Sequence, residues 1–236
     1  MTNHARLGPS GAHRWMNCPA SIILCEQIAE RPSGAAAAAG NLMHDAFERK
    51  MLSQGDFTHE EIKQLGTYDF GEKKARLIVN QAVEAAQKLL DGYGITEFLC
   101  EQRVDPGKSI GRSDFWGTAD LVGANESNKT FLIADLKTGR GRVNPEGNHQ
   151  MLCYGLGGLS LLDFVPERIV LAVIQPPLLG SSAAVWVTDI NTLNEFKEFA
   201  STQAALTDDP NCQPNPSAEV CQWCPAKSIC PAHQTN

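Results

Sequence analysis

The sequence predicts a mixed α/β fold, in which helices flank a central β-sheet. Three observations lead to this prediction. Helical patterns come first along the chain, followed by three strand patterns, a helix, two more strands and a last helix, and this order favours a sheet covered by helices. The chain has 236 residues, of which 42% are hydrophobic, so it can bury a sizeable core. Charged residues make up only 20%, which argues against a disordered chain.

The part of the chain before the first strand is predicted to be helical. Ser10 is a suitable N-cap for a short helix that runs toward Cys18. Residues 35–52 are rich in strong helix formers, and residues 71–90 carry apolar side chains at the spacing of a second helix. Residues 54–58 are predicted to form a loop between these two helices.

The strand patterns begin at residue 97. Strands are predicted over residues 97–104, 115–123, 130–137, 168–175 and 184–190, with helices over 145–162 and 192–206. Pro176 and Pro177 separate the last two strands. The chain after residue 206 is rich in Pro, Asn and Cys, and we predict that it lacks regular structure.

The distribution of charge is uneven. The formal net charge is −7, which is the wrong overall sign for a nucleic-acid binder. Residues 102–144, however, contain seven basic and five acidic residues. A locally basic face next to an acidic remainder is compatible with phosphate binding.

The sequence also indicates where the protein works. No apolar signal-peptide core precedes the first helix, and no apolar run is long enough to span a bilayer. We therefore expect a cytoplasmic protein without a membrane partner. Its eight cysteines would be reduced there, so a disulfide framework is not expected.

Two predicted strands bring acidic residues into apolar surroundings. Asp135 and Lys137 point to the same face of one strand, because side chains alternate along a strand. Asp120 lies in the preceding apolar strand, so pairing of the two strands would gather both carboxylates and the ammonium group. Carboxylates suit Mg²⁺ or Mn²⁺, and such an ion would activate water toward a phosphodiester. The alternative is a structural Asp–Lys ion pair at a strand end.

Four short motifs resemble those of the RecB-like PD-(D/E)XK nucleases. Residues 135–139 (DLKTG) are similar to the D-x-K-T-G form of the PD-(D/E)XK motif, and residues 117–120 (GTAD) to the strand that precedes it. Residues 150–154 (QMLCY) resemble the family's Q-x-x-x-Y helix, and residues 40–44 (GNLMH) its upstream G-x-x-x-H helix. All four occur in the family's order, so the resemblance implies a restriction-endonuclease-like core with a mixed central sheet.

The resemblance also implies roles for individual residues. The implied ligands of Mg²⁺ or Mn²⁺ are His44, Asp120, Asp135 and the backbone carbonyl of Leu136. The implied catalytic residues are Asp120, Asp135, Lys137, Gln150 and Tyr154, the last two lying one helical turn apart. Without the order of the motifs, His44 would be an ordinary surface histidine, and Gln150 and Tyr154 a solvated helix edge. Glu101 is a weaker candidate, because a charge at a strand edge is an equally good interpretation.

The cysteines near the C-terminus form a second pattern. Cys221, Cys224 and Cys230 follow the spacing C-x₂-C-x₅-C, which suits zinc or an iron–sulfur cluster. A fourth ligand must come from elsewhere, and Cys18 is the preferred residue. Cys25 is an alternative to Cys18. Cys100 and Cys153 lie in apolar contexts and are interpreted as small buried hydrophobic residues.

This cysteine pattern resembles that of the 4Fe-4S nucleases of the RecB group, which include AddB, the CRISPR-associated RecB-like proteins and phage relatives. Residues 10–19 also resemble the opening of those proteins. The resemblance implies a 4Fe-4S cluster that joins segments 10–25 and 212–233 beside a core over residues 35–207, in one domain spanning 1–236. The alternative is a local Zn²⁺ site completed by Cys212 and His233.

Together these features predict a metal-dependent DNA nuclease. The resemblance implies an exonuclease or end-processing enzyme with a phage-type role in recombination or replication. It would act on single- or double-stranded DNA ends, with a single-strand annealing or binding protein as a further partner. The sequence contains no Gly-x-x-x-x-Gly-Lys-Ser/Thr loop, which argues against a helicase motor. Two other hypotheses are a non-catalytic DNA-binding module of the same fold and a zinc-stapled interaction protein.

Overall fold

The computed structural model describes residues 5–29 and 34–234. The strands are β1 (Phe98–Val104), β2 (Gly117–Asn125), β3 (Thr130–Leu136), β4 (Arg168–Ile174) and β5 (Ala183–Thr188). The helices are α1 (Ala12–Asn17), α2 (Ala20–Glu26), α3 (Ala35–Met51), α4 (His59–Thr67), α5 (Glu72–Gly92), α6 (His149–Gly158), α7 (Pro176–Leu179), α8 (Ile190–Leu206), α9 (Ala218–Gln222) and α10 (Pro231–Gln234). Short 3-10 turns cover Pro9–Gly11, Pro106–Ile110, Leu159–Leu161 and Pro225–Ser228.

The five strands form one sheet in the order β1-β2-β3-β4-β5. Strands β3 and β4 are parallel, and the other neighbouring pairs are antiparallel. A parallel pair needs a long crossover, and α6 lies within that connection. The prediction of a mixed α/β fold with helices around a central sheet is confirmed.

Strand β3 is buried along its whole length and separates two hydrophobic cores. Phe131 and Ile133 face a core that also contains residues of α1, α6 and α8. Leu132, Ala134 and Leu136 face the opposite core, which is built mainly from α3 and α5. This alternation follows from the period of two along a strand, and it explains why the whole strand is apolar apart from its ends.

Helix α6 packs very close to its neighbours because its last turn is rich in glycine. A Cβ atom at Gly157 would lie 2.6 Å from the Pro106 ring, and one at Gly158 would lie 2.6 Å from the Phe131 ring. Neither distance is sterically possible without movement of the neighbouring atoms. The glycines therefore fix how closely α6 can approach the sheet.

The two ends of the chain are held next to each other. Arg6 donates to the side chain of Asp208 at 2.8 Å and to the Thr207 carbonyl at 3.0 Å, just after α8. The backbone N–H of Asn215 lies 3.3 Å from Cys18 Sγ. The N-terminal segment and the C-terminal tail thus share one surface.

The longer predicted elements agree with the structure within a few residues, but several short ones do not. Ser10 is not a helix N-cap, because it lies inside a 3-10 turn and α1 begins after Gly11. Helix α6 begins only at His149, where the Asn148 side chain caps it. The prediction of an irregular tail was wrong, since α9 forms with Ser217 as its N-cap.

Besides the short helices α7, α9 and α10, the sequence prediction lacked α2 and α4. Helix α2 follows Cys18-Pro19 directly, where the proline suggested only the end of a helix. Helix α4 begins with a capping box formed by Thr58 and Glu61, which is a recognisable sequence signal. No helix in the described ranges 5–29 and 34–234 combines the length and apolarity needed to cross a bilayer.

Phe131→Ala should destabilise the fold by about 3–5 kcal/mol, because its ring is fully buried against α6 and its loss leaves a cavity. Leu77→Ala is a control, since Leu77 is 56% exposed on α5 and should change stability by only about 0.5 kcal/mol. Urea unfolding followed by circular dichroism measures both. Equal stability of the two variants would contradict the assignment of β3 to the centre of the fold.

Candidate metal centre and cysteine cavity

The candidate metal centre lies where β2 and β3 separate. Their paired register runs from Asn125↔Thr130 to Leu121↔Ala134 and stops there. Beyond it, Asp120 Oδ2 accepts a hydrogen bond of 2.5 Å from the backbone N–H of Leu136. A carboxylate thus takes the place of a strand carbonyl, and Asp120 is held at a fixed position beside the end of β3.

Helix α3 contributes His44 to this centre. His44 Nδ1 lies 2.9 Å from Asp120 Oδ1. The helix can approach because Gly40, one turn earlier, has no side chain: a Cβ atom there would lie 3.2 Å from Thr138 Oγ1. Gly40 and Thr138 belong to two different sequence motifs, and their contact is what brings His44 to the end of β3.

Helix α6 contributes Gln150 and Tyr154, and Gln150 connects the other polar groups. Its Oε1 accepts from Lys137 Nζ at 2.9 Å. Its Nε2 donates to Asp135 Oδ1 at 3.0 Å and to the Tyr154 hydroxyl at 2.9 Å. Tyr154 is only 6% exposed, so these residues do not form a solvated helix edge. Gln150 orients the Lys137 side chain and the Asp135 carboxylate relative to each other.

Glu101 lies on β1 between the paired positions Cys100↔Leu121 and Gln102↔Ala119, opposite Asp120. Its φ of +46° is unusual for a residue other than glycine in a strand. Such strained backbone is concentrated at functional sites. Ligand atoms of His44, Glu101 and Asp120 all lie within 4.8 Å of one another.

The predicted ligand set therefore differs from the group that the structure brings together. Glu101, only a weaker candidate from the sequence, joins His44 and Asp120. Asp135 lies beside this group, in contact with Lys137 and Gln150. The left-handed backbone of Glu101 cannot be predicted from the sequence, although the position of Glu101 within a predicted strand was a usable signal.

The pKa values of two acidic groups of the centre, Glu101 and Asp135, are raised. Glu101 is exposed as a residue, but partial burial of its carboxylate and then the charge of Asp120 raise its pKa to about 7. Burial raises the pKa of Asp135 to about 6; Lys137 opposes the shift and Asp120 adds to it. Burial disfavours the imidazolium of His44, but the hydrogen bond and charge of Asp120 outweigh it and raise the His44 pKa. The centre thus has an excess of negative charge that a cation would offset.

The donor atoms fit a divalent cation. Among the described side chains, Asp135 Oδ2 is buried and makes no hydrogen bond, although Lys137 Nζ lies 2.8 Å away in ionic contact. A buried carboxylate oxygen without a hydrogen bond is costly unless a cation is nearby. Carboxylate oxygens from Asp120, Asp135 and Glu101, with one imidazole, suit Mg²⁺ or Mn²⁺.

A second group of side chains lines a small cavity of about 20 Å³ between the chain ends. Its potential ligands are Cys18, Cys221, Cys224, Cys230 and His233. Burial raises the pKa of the Cys18 thiol, with a further contribution from Cys224 and Cys230. The structure thus gathers the four cysteines that the sequence pattern singled out.

The other cysteines lie in different surroundings. Cys25 is outside the cavity lining, but burial and the nearby Cys224 raise the pKa of its thiol, and its Sγ lies 3.4 Å from Arg14 Nη1. Cys212 does not line the cavity. Cys153 is fully buried, and burial raises the pKa of the half-buried Cys100 to about 12.

Asp120→Asn should lower the pKa of His44, because the substitution removes the charge that raises it and leaves the burial that opposes protonation. An NMR titration of chelator-treated protein measures this pKa. Asp163→Asn, which changes an exposed carboxylate, is the matched control. An unchanged His44 pKa in Asp120→Asn would contradict the contact between the two side chains.

Comparison with solved structures gives distant likenesses. The chain described as "Crystal structure of SSO0001" is 14% identical, with 94% of this chain and 96% of that chain covered and a TM-score of 0.36. The chain described as "Crystal Structure of LHK-Exo in complex with dAMP" is 12% identical, with 72% of this chain and 90% of that chain covered and the same TM-score of 0.36. At this TM-score neither likeness carries an argument about fold or function.

Comparison with family models gives a match over nearly the whole sequence. The model described as "Protein of unknown function (DUF2800)" covers residues 4–236. That span includes the candidate metal centre and the cysteine cavity. The chain therefore belongs to the DUF2800 family.

Proposed function

We propose that this protein is a metal-dependent DNA nuclease with a PD-(D/E)XK core. The observation that carries the proposal is the meeting of Asp120, Asp135 and Lys137 at the separated ends of β2 and β3. Two carboxylates and a lysine at adjoining strand ends are the arrangement that the D-x-K-T-G motif implies. A purely structural Asp–Lys ion pair would not need the imidazole of His44 and the carboxylate of Glu101 beside Asp120.

The residues divide into two groups in this proposal. His44, Asp120 and Glu101, with Asp135 beside them, would hold Mg²⁺ or Mn²⁺, and the carbonyl of Leu136 would complete the set. When bound, the cation would polarise the phosphodiester and help deprotonate water. Lys137 would stabilise charge on the phosphate or orient the attacking water. Gln150 would hold Lys137 in place, and Tyr154 would hold Gln150.

The proposed reaction is hydrolysis of a phosphodiester bond in DNA. Water would add to phosphorus, and the leaving oxygen would take up a proton, which yields a 5′-phosphate and a 3′-hydroxyl. We propose exonuclease or end-processing action on single- or double-stranded ends, in phage-type recombination or replication. A single-strand annealing or binding protein would be a partner, and the site of action would be the cytoplasm. A degenerate, non-catalytic DNA-binding module would not need Asp135 and Lys137 together.

Asp120→Asn, Asp135→Asn and Lys137→Ala should each reduce cleavage of end-labelled DNA by about 100-fold or more, because each change removes a group that acts on the phosphate or its metal. The assay uses single- and double-stranded DNA with Mg²⁺ or Mn²⁺, and a chelator should abolish the activity. Controls are Asp163→Asn and Lys63→Ala, which change exposed charges elsewhere. Wild-type rates in any of the three variants, with melting temperatures unchanged, would count against the proposal.

We also propose that the cysteine cavity binds a 4Fe-4S cluster through Cys18, Cys221, Cys224 and Cys230. All four cysteines line the same cavity between the chain ends, and four thiolates are the usual ligand set of such a cluster. The same ligand set also suits zinc, so the metal content of the purified protein distinguishes the two.

Cys18→Ser, Cys221→Ser, Cys224→Ser and Cys230→Ser should lose iron and lower the melting temperature of the whole protein. Closing a loop of nearly the whole chain stabilises a fold by on the order of 4 kcal/mol, by analogy with disulfides. The measurements are iron and sulfide content and a thermal melt of anaerobically purified protein. Cys212→Ser is the control and should keep its iron, because Cys212 lies outside the cavity.

The same preparations separate the alternatives. Colourless protein with one zinc per chain, lost in Cys212→Ser or His233→Ala, would replace the cluster with a local zinc site. Loss of iron in Cys25→Ser but not in Cys18→Ser would make Cys25 the fourth ligand, which its contact with Cys224 would explain.

A further inference from the structure

An open groove of about 340 Å³ lies beside the loop that follows Lys137. One wall is the loop itself, with Arg140, Arg142 and Val143. The other wall comes from α7 and the start of β5, where Leu178 and Leu179 are 46% and 37% exposed. The groove therefore combines two guanidinium groups with an apolar surface.

Five of the seven basic residues of the segment 102–144 have a carboxylate partner. Arg112 is paired with Asp114 at 2.7 Å and with Asp208 at 2.6 Å. Longer ion pairs join Arg103 and Lys108 to Asp105, at 3.6 and 4.0 Å, and Lys129 to Glu126, at 3.7 Å. Lys137 is held by Asp135 and Gln150.

Arg140 and Arg142 differ from the other five basic residues of this segment. Both are exposed, and within residues 5–29 and 34–234 no carboxylate forms an ion pair with either guanidinium. No described residue that lines the groove is acidic. In a protein with a net charge of −7, this is a local surface of uncompensated positive charge next to the candidate metal centre.

A buried glutamine fixes the arginine loop to the end of β4. Gln175 is only 1% exposed. Its Nε2 donates to the carbonyls of Gly139 and Gly141 at 2.9 and 2.7 Å, and its Oε1 accepts from the Val143 N–H at 3.3 Å. These bonds bracket both arginines, so the loop has a defined path where exposed glycines would otherwise leave it free.

The length of the chain limits how far the two arginines can lie from Lys137. Arg140 is three residues after Lys137, so their Cα atoms are at most about 11 Å apart. Arg142, two residues further, is within about 18 Å of Lys137 at full extension. These spans correspond to a few nucleotides along a DNA strand, since phosphates follow each other at about 3.4 Å per strand along the duplex axis.

We propose that this groove binds the backbone of the DNA strand next to the scissile phosphate. Arg140 and Arg142 contact phosphates, while Leu178 and Leu179 contact sugar and base. Guanidinium groups match the geometry of phosphate oxygens, and such contacts carry no sequence information. The inference rests on the proposed nuclease function and assigns the surface that keeps the strand in register with Lys137.

The test measures binding of a fluorescein-labelled single-stranded oligonucleotide by anisotropy at several salt concentrations. All variants are made in an Asp135→Asn background, so that the DNA is not cut. Arg140→Ala and Arg142→Ala should each weaken binding several-fold and lower the slope of log K against log salt by about 0.7–0.9. The double variant should show the sum of both effects. Lys63→Ala, which removes an exposed cation on α4, should change neither quantity.

The outcomes separate this inference from the proposed function. If wild-type protein cleaves DNA but the double variant keeps the full affinity and slope, the groove is not the strand site and the nuclease assignment stands. If wild-type protein neither binds nor cleaves DNA, both proposals are wrong. If the double variant loses affinity for a deoxynucleoside monophosphate but keeps the full affinity for the oligonucleotide, the groove holds a mononucleotide rather than a strand.

Discussion

The burial of two carboxylates at the ends of β2 and β3 is the constraint on which the candidate site depends. Asp120 is 7% exposed and Asp135 3% exposed, and both are next to apolar strand residues. Buried carboxylates are unfavourable unless they are hydrogen-bonded and their charge is offset. The N–H of Leu136, the imidazole of His44 and the amide of Gln150 supply hydrogen bonds, but Lys137 is the only nearby permanent cation in the described part of the chain. The remaining imbalance keeps the pKa values of Asp135 and Glu101 high.

Satisfying these carboxylates requires helices from both sides of the sheet to come very close to the strand ends. Two glycines make that approach possible. Gly40 lets α3 contact Thr138, and a Cβ atom at Gly117 would lie 2.7 Å from the Pro9 ring and 3.1 Å from the ring of Tyr154. Both glycines belong to the sequence motifs that also contain His44 and Asp120. The glycines have no side chain, so neighbouring elements can pack closely against them; they take no part in the chemistry.

The sequence was most informative where burial and periodicity coincide. The long helices α3 and α5 and the five strands were predictable, because their apolar spacing depends only on which face is buried. The sequence predicted that the strands containing Asp120 and Leu136 pair. It did not predict that the Asp120 carboxylate, rather than a backbone carbonyl, accepts the hydrogen bond from the Leu136 N–H. The role of Glu101 depends on a single positive φ angle, which no residue pattern specifies. The contact between Cys25 and Cys224 depends on α2, a helix too short for its pattern to be distinguished from a turn.

Counting basic residues in the sequence did not show which of them form ion pairs with carboxylates. Arg6 and Arg112 both bind Asp208, and Arg112 also binds Asp114, so these cations join the end of α8 to the N-terminal part of the fold. Asp208 is more than half exposed in these pairs, and exposed ion pairs contribute only about 0–1 kcal/mol each. They orient the chain ends but stabilise their contact weakly. The four thiols that converge between the same two segments would join them more strongly if they hold the proposed cluster, because metal binding contributes directly to the free energy of folding. The ion pairs at the chain ends thus orient the two segments, whereas Arg140 and Arg142, on the loop that follows Lys137, form no ion pair with a described carboxylate.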